Sequence, residues 1–270
     1  MSAKLEIDLP NELLPYKERI EATIKPFVEI RAKTENNLRL WQSKFGGFPY
    51  FPKELQYPTD SIGQAMFLLA QLNFGETPKL DPFPERGILQ FYISGGHDLF
   101  GASFESPARQ DDFRVLYFPD ITEDESQLVK DFSFLSKPDS LPLYEQSSLT
   151  FSAKWAPLPE SDYQFEQSIL NLNPTSKYDL YKDYQKVYQE YAKLFHSAGH
   201  KIGGYPNFTQ SDPRVLEPYK GEKYILLFQM DSDDEAGIMW GDVGVANFFI
   251  SEKDLEDRNF SRVLYNWDCA

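Results

Sequence analysis

The sequence predicts an α+β protein, internally duplicated, in which an antiparallel, β-rich body carries a few packed helices. Three observations predict it. An eight-residue block occurs twice: Lys44-Phe45-Gly46-Gly47-Phe48-Pro49-Tyr50-Phe51 and Lys201-Ile202-Gly203-Gly204-Tyr205-Pro206-Asn207-Phe208. Short apolar runs with strand character follow each copy in the same order. A stretch with helical periodicity precedes each copy.

The elements follow in chain order. Residues 12–24 place Leu13, Ile20 and Ile24 near one helical stripe, with Asn11 as the expected N-cap and Pro26 as the stop. Residues 27–31 then read as a strand. The paired glycines permit positive φ, and the proline two residues on forces an extended residue before it, so each octapeptide is a tight bend entering an extended segment. A phosphate-cradling loop needs more glycines and a helix directly after it, and neither is present. Leu68-Leu69-Ala70-Gln71-Leu72-Asn73 matches Leu226-Leu227-Phe228-Gln229-Met230-Asp231, and both are short apolar runs suited to buried strands. Gly87-Ile88-Leu89-Gln90-Phe91-Tyr92-Ile93-Ser94 matches Gly244-Val245-Ala246-Asn247-Phe248-Phe249-Ile250-Ser251. Arg114-Val115-Leu116-Tyr117 repeats as Arg262-Val263-Leu264-Tyr265. Residues 177–195 set Leu180, Tyr184, Val187, Tyr188, Tyr191, Leu194 and Phe195 on one helical face, and Gly199 lies where a stop belongs.

The blocks are collinear and separated by loops of variable length, the pattern that duplication and loop drift leave behind. The predicted units are residues 1–119 and 168–270, joined by a connecting segment at 120–167. That segment is acidic and rich in Ser and Pro at its start, and is expected to mix surface loop with a sheet edge. Three or four strands bury little alone, so the units are expected to pair about a pseudo-twofold axis into one body.

Composition excludes several functions. The 270 residues carry a formal net charge of −15, which repels nucleic-acid backbones and anionic lipid. The charge permits a basic protein partner, a cation or no charged partner at all, and a small ligand is the other candidate partner. The single cysteine, Cys269, rules out an intramolecular disulfide and a cysteine-based zinc site. The first ten residues lack the basic and apolar regions of a signal peptide, and no apolar run reaches bilayer length. A cytoplasmic location is the expectation.

Each candidate site has a structural explanation beside the functional one. His196 and His200 have the i, i+4 spacing of helical metal ligands, but Gly199 falls between them, and a histidine at a helix C-terminus is favourable by itself. His97 and Asp98 follow the Gly95-Gly96 turn and suit a base and its orienter. Asp98 matches Asp254, and a matched Asp more often caps a turn. Asp231, Asp233, Asp234 and Glu235 alternate in the manner of a calcium loop, with Asp242 beyond, yet Ala236 stands where the sharp-turn glycine belongs, and a hairpin loop explains the cluster. Trp240, before Gly241-Asp242, suits either a ligand grip or a core filler at a strand entry. No triad, phosphate loop or dinucleotide fingerprint is visible. No resident metal or cofactor is expected.

The Lys44-Phe45-Gly46-Gly47-Phe48-Pro49 bend, Leu69-Ala70-Gln71-Leu72-Asn73, Gly87-Ile88-Leu89-Gln90-Phe91 and Trp240-Gly241-Asp242 with Gly244 together resemble the YwqG-like family, a domain of unknown function. The resemblance spans nearly the whole chain. It implies a duplicated, β-rich bacterial cytoplasmic protein and assigns no catalytic residue.

The leading expectation is a noncatalytic protein- or ligand-binding module, of the kind that neutralises a basic partner as immunity proteins do. The residues that would serve it are His97, Asp98, Asp231, Asp233, Trp240 and Asp242. The alternatives are a hydrolase or metal-dependent enzyme built on the Asp231–Asp242 carboxylates, and a small-molecule binder in the cleft between the repeats.

Overall fold

A computed structural model of the chain describes residues 5, 7–96, 98–135, 138, 140–172 and 177–270. Ten strands form one antiparallel sheet that curls into a half-barrel. They are β1 (Lys25–Thr34), β2 (Lys44–Phe45), β3 (Phe67–Asn73), β4 (Ile88–Ile93), β5 (Phe113–Phe118), β6 (Ser147–Ala156), β7 (His200–Gly203), β8 (Tyr224–Asp231), β9 (Val245–Ser251) and β10 (Leu264–Asp268). Their spatial order is β10-β9-β8-β7-β1-β6-β2-β3-β4-β5. The helices are few: α1 (Lys17–Ala22), α2 (Lys177–Leu194) and α3 (Glu252–Glu256), with short 3-10 turns between strands.

The two long strands at the centre exchange sides. β1 pairs with β6 along ten residues, from Lys25 opposite Ala156 to Thr34 opposite Ser147. On its other edge β1 runs beside β7, while β6 runs beside β2. The predicted sheet edge in residues 120–167 is therefore corrected: its strand is central. The outward residues of β6 are polar or exposed, including Thr150, Ser152 and Lys154, so its apolar signal is weak although its backbone is paired on both sides near Ser147.

Outward from this centre the two flanks share their pairing. Lys44 stands opposite Gln71, and Lys201 opposite Gln229. The β3–β4 ladder slips between Leu68 and Ala70, and the β8–β9 ladder between Leu226 and Phe228. The Arg-Val-Leu-Tyr tetrapeptides do not share a register. Val115 faces Phe91, whereas Phe248, the match of Phe91, faces Tyr265 rather than Val263. The four-residue identity is thus displaced by two positions, which keeps the same faces inward.

Curling brings the inner faces of the flanks together over an aromatic core. Phe91 of β4 lies 4.8 Å from Phe228 and 4.7 Å from Phe248, and Phe113 of β5 lies 5.1 Å from Tyr265 of β10. Rings of this size bury large areas and hold tilted contacts at these separations. The gap between the β5 and β10 edges is bridged by residues 99–112. Tyr265 donates its backbone N–H to Pro107 O (2.8 Å), and Trp267 its indole N–H to Leu99 O (2.8 Å). The Gln110 amide accepts from Val115 N (2.8 Å) and donates to Phe260 O (2.7 Å).

Leu255 of α3 joins the main core, whereas α1 and α2 pack outside the barrel. Leu13, Ile20, Phe165, Tyr188, Tyr191 and Phe195 are buried in one cluster there. The single helix expected at 12–24 is instead a 3-10 turn, Leu14–Tyr16, followed by α1, because Pro15 sits in the first turn. Neither piece has a side-chain cap, so Asn11 does not cap. α2 is kinked at Tyr184, and Leu194 turns outward with 38% exposed. The side chain of Leu180 lies outside the described residues.

Both bends adopt the left-handed backbone that the glycines permit: φ is +61° and +69° at Gly46 and Gly47, and +72° and +68° at Gly203 and Gly204. A Cβ on Gly46 would sit 2.8 Å from Glu145 O. Gly46→Ala is therefore expected to lower unfolding free energy by about 1–3 kcal/mol, measured by urea denaturation. An unchanged midpoint would contradict the strain assigned to this bend.

Candidate functional site

A cleft of about 710 Å³ opens where β1, the end of β6, β7 and the turn after β8 meet. β1 contributes Phe27, Glu29 and Arg31, and the link before β7 contributes His196 and Ser197. β7 contributes His200 and Lys201, and the β8–β9 connection contributes residues 231–235. Glu29 stands opposite Lys201 in the β1–β7 ladder, so one carboxylate enters the cleft beside one amine.

Lys201 is buried in the wall. Its Nζ donates to Ser197 O and to Tyr205 O (3.2 Å), one carbonyl before β7 and one beyond the bend. Burial pulls its pKa down to about 7. Lys44 repeats the arrangement on the other flank, donating to Arg39 O (2.7 Å) and Phe48 O (3.2 Å), and burial pulls it down to about 8. Each lysine ties together the two chain segments that flank its short strand.

The glutamines opposite these lysines complete the local backbone. Gln229 donates to Ser197 O (2.9 Å) and Gly199 O (2.7 Å) and accepts from Asn207 N (2.7 Å). Gln71 donates to Leu40 O (2.8 Å) and Gln42 O (2.7 Å) and accepts from Tyr50 N (2.8 Å) and Gln90 Nε2 (2.7 Å). The segments that pass over the sheet thus find partners for carbonyls that no strand reaches.

His200 fastens the acidic turn to the sheet. Its Nδ1 accepts from Asp231 N (3.0 Å), which leaves the proton on Nε2, 3.2 Å from the Asp233 carboxylate. Asp231 also accepts from Gly199 N (2.6 Å), and Asp233 from Glu235 N (2.9 Å) and Ala236 N (3.2 Å). Asp233 and Ile238 exchange backbone bonds, making this a tight hairpin, and Asp234 and Glu235 project into solvent at its tip. Of the carboxylates whose spacing suggests a calcium loop, Asp231 and Asp233 therefore serve backbone N–H groups and His200. Among the described residues no group of three His, Cys, Asp or Glu is placed to hold a metal ion.

The remaining predicted positions do not join this cluster. Trp240 is fully buried against Phe100 and Trp267, 5.7 and 5.9 Å away, as a core residue. Asp242 is exposed beyond it, and its carbonyl accepts from Ala270 N (3.1 Å). Asp98 sits in an exposed turn, whereas Asp254 is buried in α3, bonded to Ser251 and paired with Arg262 (2.7 Å). His97 lies outside the described residues. His196 is exposed while His200 is buried in β7, so the two do not share a helical face. Sequence reasoning missed Glu29, Lys201 and the glutamines. The signal was available: Lys44 and Lys201, and Gln71 and Gln229, are identical polar residues inside otherwise apolar matched blocks.

Burial lowers the His200 pKa from its ordinary 6.5, outweighing the pull of Asp233 and Asp231. The unfolded chain then takes up the proton first, so stability is complete above pH 6.5 and declines as pH falls below it, until the folded ring also protonates. His200→Asn is expected to show a shallower loss of melting temperature from neutral to mildly acidic pH. Equal slopes in both proteins would refute a buried neutral imidazole.

No helix among the described residues is long and apolar enough to cross a membrane. No curated protein matches the chain. A match to the sequence profile of the domain of unknown function DUF1963 extends over residues 43–269, taking in both glycine bends, both lysines and the acidic hairpin. With that match covering most of its length, the chain belongs to the DUF1963 family.

Proposed function

We propose that this chain is a noncatalytic binding module whose cleft holds a cationic group, a basic side chain of a protein partner in particular. The observation that carries the reading is the composition of the cleft wall. Glu29, Asp231, Asp233, Asp234 and Glu235 line it, and among the described residues its basic lining is Arg31, ion-paired with Glu29, together with Lys201 and two histidines. Asp234 and Glu235 stand free of backbone duties at the rim, where charge steers a partner of opposite sign.

The polar groups of the cleft favour binding over chemistry. Both His200 nitrogens are occupied, and Ser232 Oγ donates to Gly244 O (2.8 Å) while accepting from Trp240 N (3.0 Å). Neither serine hydroxyl that lines the cleft is hydrogen-bonded to a base that could activate it, and nucleophilic catalysis requires that pairing. The two readings of the cleft, protein partner and small amine, share one chemistry.

The matched lysine–glutamine pairs, bends and ladder slips also support descent from a duplicated unit. On that reading β1 and β6 are the strands exchanged between copies. The YwqG-like resemblance adds the expectation of a bacterial cytoplasmic protein.

Calorimetric titration with argininamide and with spermidine tests the proposal. Binding is expected at low salt, to weaken at high salt, and to fall about fivefold or more in an Asp234→Asn, Glu235→Gln double variant. Heats indistinguishable from dilution, or undiminished binding by the folded double variant, would overturn it.

A further inference from the structure

Two guanidinium groups on one groove of this acidic chain meet no carboxylate among the described residues. Arg114 of β5 and Arg258, in the turn after α3, line a groove of about 530 Å³ along the free edge of β5. Arg114 Nε is buried without a hydrogen-bond partner. Arg258 uses Nη1 on Pro82 O (2.7 Å) and Leu255 O (2.6 Å), and its other nitrogens meet no protein acceptor among the described residues. The acid in the groove, Asp111, is ion-paired with Arg109. Tyr117 and Phe260 also line the groove, with ring centroids 5.3 Å apart.

Acidic residues outnumber basic ones on this chain by 42 to 27, so a guanidinium left without an anion is not a matter of supply. A buried donor without an acceptor is costly, and two cations on one groove repel. An oxyanion in the groove would offset the repulsion between the two cations, because a guanidinium presents paired donors that match the oxygens of a phosphate or carboxylate. We propose that the groove between Arg114 and Arg258 is a binding site for a small oxyanion, a phosphate or carboxylate group whose carrier packs on Tyr117 and Phe260. The site is separate from the acidic cleft and of opposite sign.

Melting temperatures in inorganic phosphate, in succinate and in sodium chloride of matched ionic strength test the site. Chloride is the reference because any salt screens the net charge of −15. Phosphate or succinate is expected to raise the wild-type melting temperature above the chloride value, and the more effective anion identifies the group. Arg114→Gln and Arg258→Gln should each weaken that anion, titrated by calorimetry, by about tenfold, with Arg114→Lys between them and wild type. Equal melting in all three salts would overturn the proposal. So would anion binding that survives in both glutamine variants. Argininamide binding by the glutamine variants confirms that they fold with the cleft intact, so the two sites fail or stand separately.

Discussion

The fold depends on side-chain amides and ammonium groups that satisfy backbone where no strand can. Each short strand, β2 or β7, is flanked by a segment entering from one side and a left-handed glycine bend leaving on the other. These segments cross the sheet and turn carbonyls and N–H groups inward, where water is excluded. Gln71 and Gln229 meet three of those groups each, and Lys44 and Lys201 pin one carbonyl on either side of their strands. A buried polar group left unmade costs more than a made bond gains, so these four side chains are constrained in identity as well as size.

The same constraint builds the cleft. Lys201 ties Ser197 to the bend at Tyr205, which fixes the two segments that border the cleft in front of β7. His200, the preceding residue, points to the opposite face, packs edge-on against Phe45 at 5.0 Å and anchors the acidic hairpin through both nitrogens. Adjacent residues of one strand thus serve the cleft wall and the core, as the alternation of strand side chains requires.

Most strands could be read from sequence because their apolar runs recur on both flanks: Ile88–Ile93 falls within a residue of expectation and Tyr224–Asp231 within two. The bends were legible because glycine pairs before x-Pro permit few conformations. The centre of the sheet was not. β6 exposes half of its side chains, and its place is fixed by a partner more than a hundred residues away, which no local pattern encodes. The site was obscured for a related reason. Lysine and glutamine read as surface residues, and only the contacts of Lys201 and Gln229 reveal them as interior fasteners. The acidic residues had the reverse fault: Asp231 to Asp242 look like one cluster in sequence, but the buried Trp240 separates Asp242 from the hairpin.

The exchange of β1 and β6 bears on how the chain is made. β1 precedes both of its neighbours by more than a hundred residues: one is β6 and the other is β7, whose Gly203 pairs with Phe27. Until synthesis has passed that glycine, β1 has an unmatched edge, and the growing polypeptide must shelter it. Pairings so distant along the chain slow folding, and a bare strand edge invites foreign strands. A nascent chain of this topology therefore has its greatest need of shelter between the synthesis of β1 and that of β7.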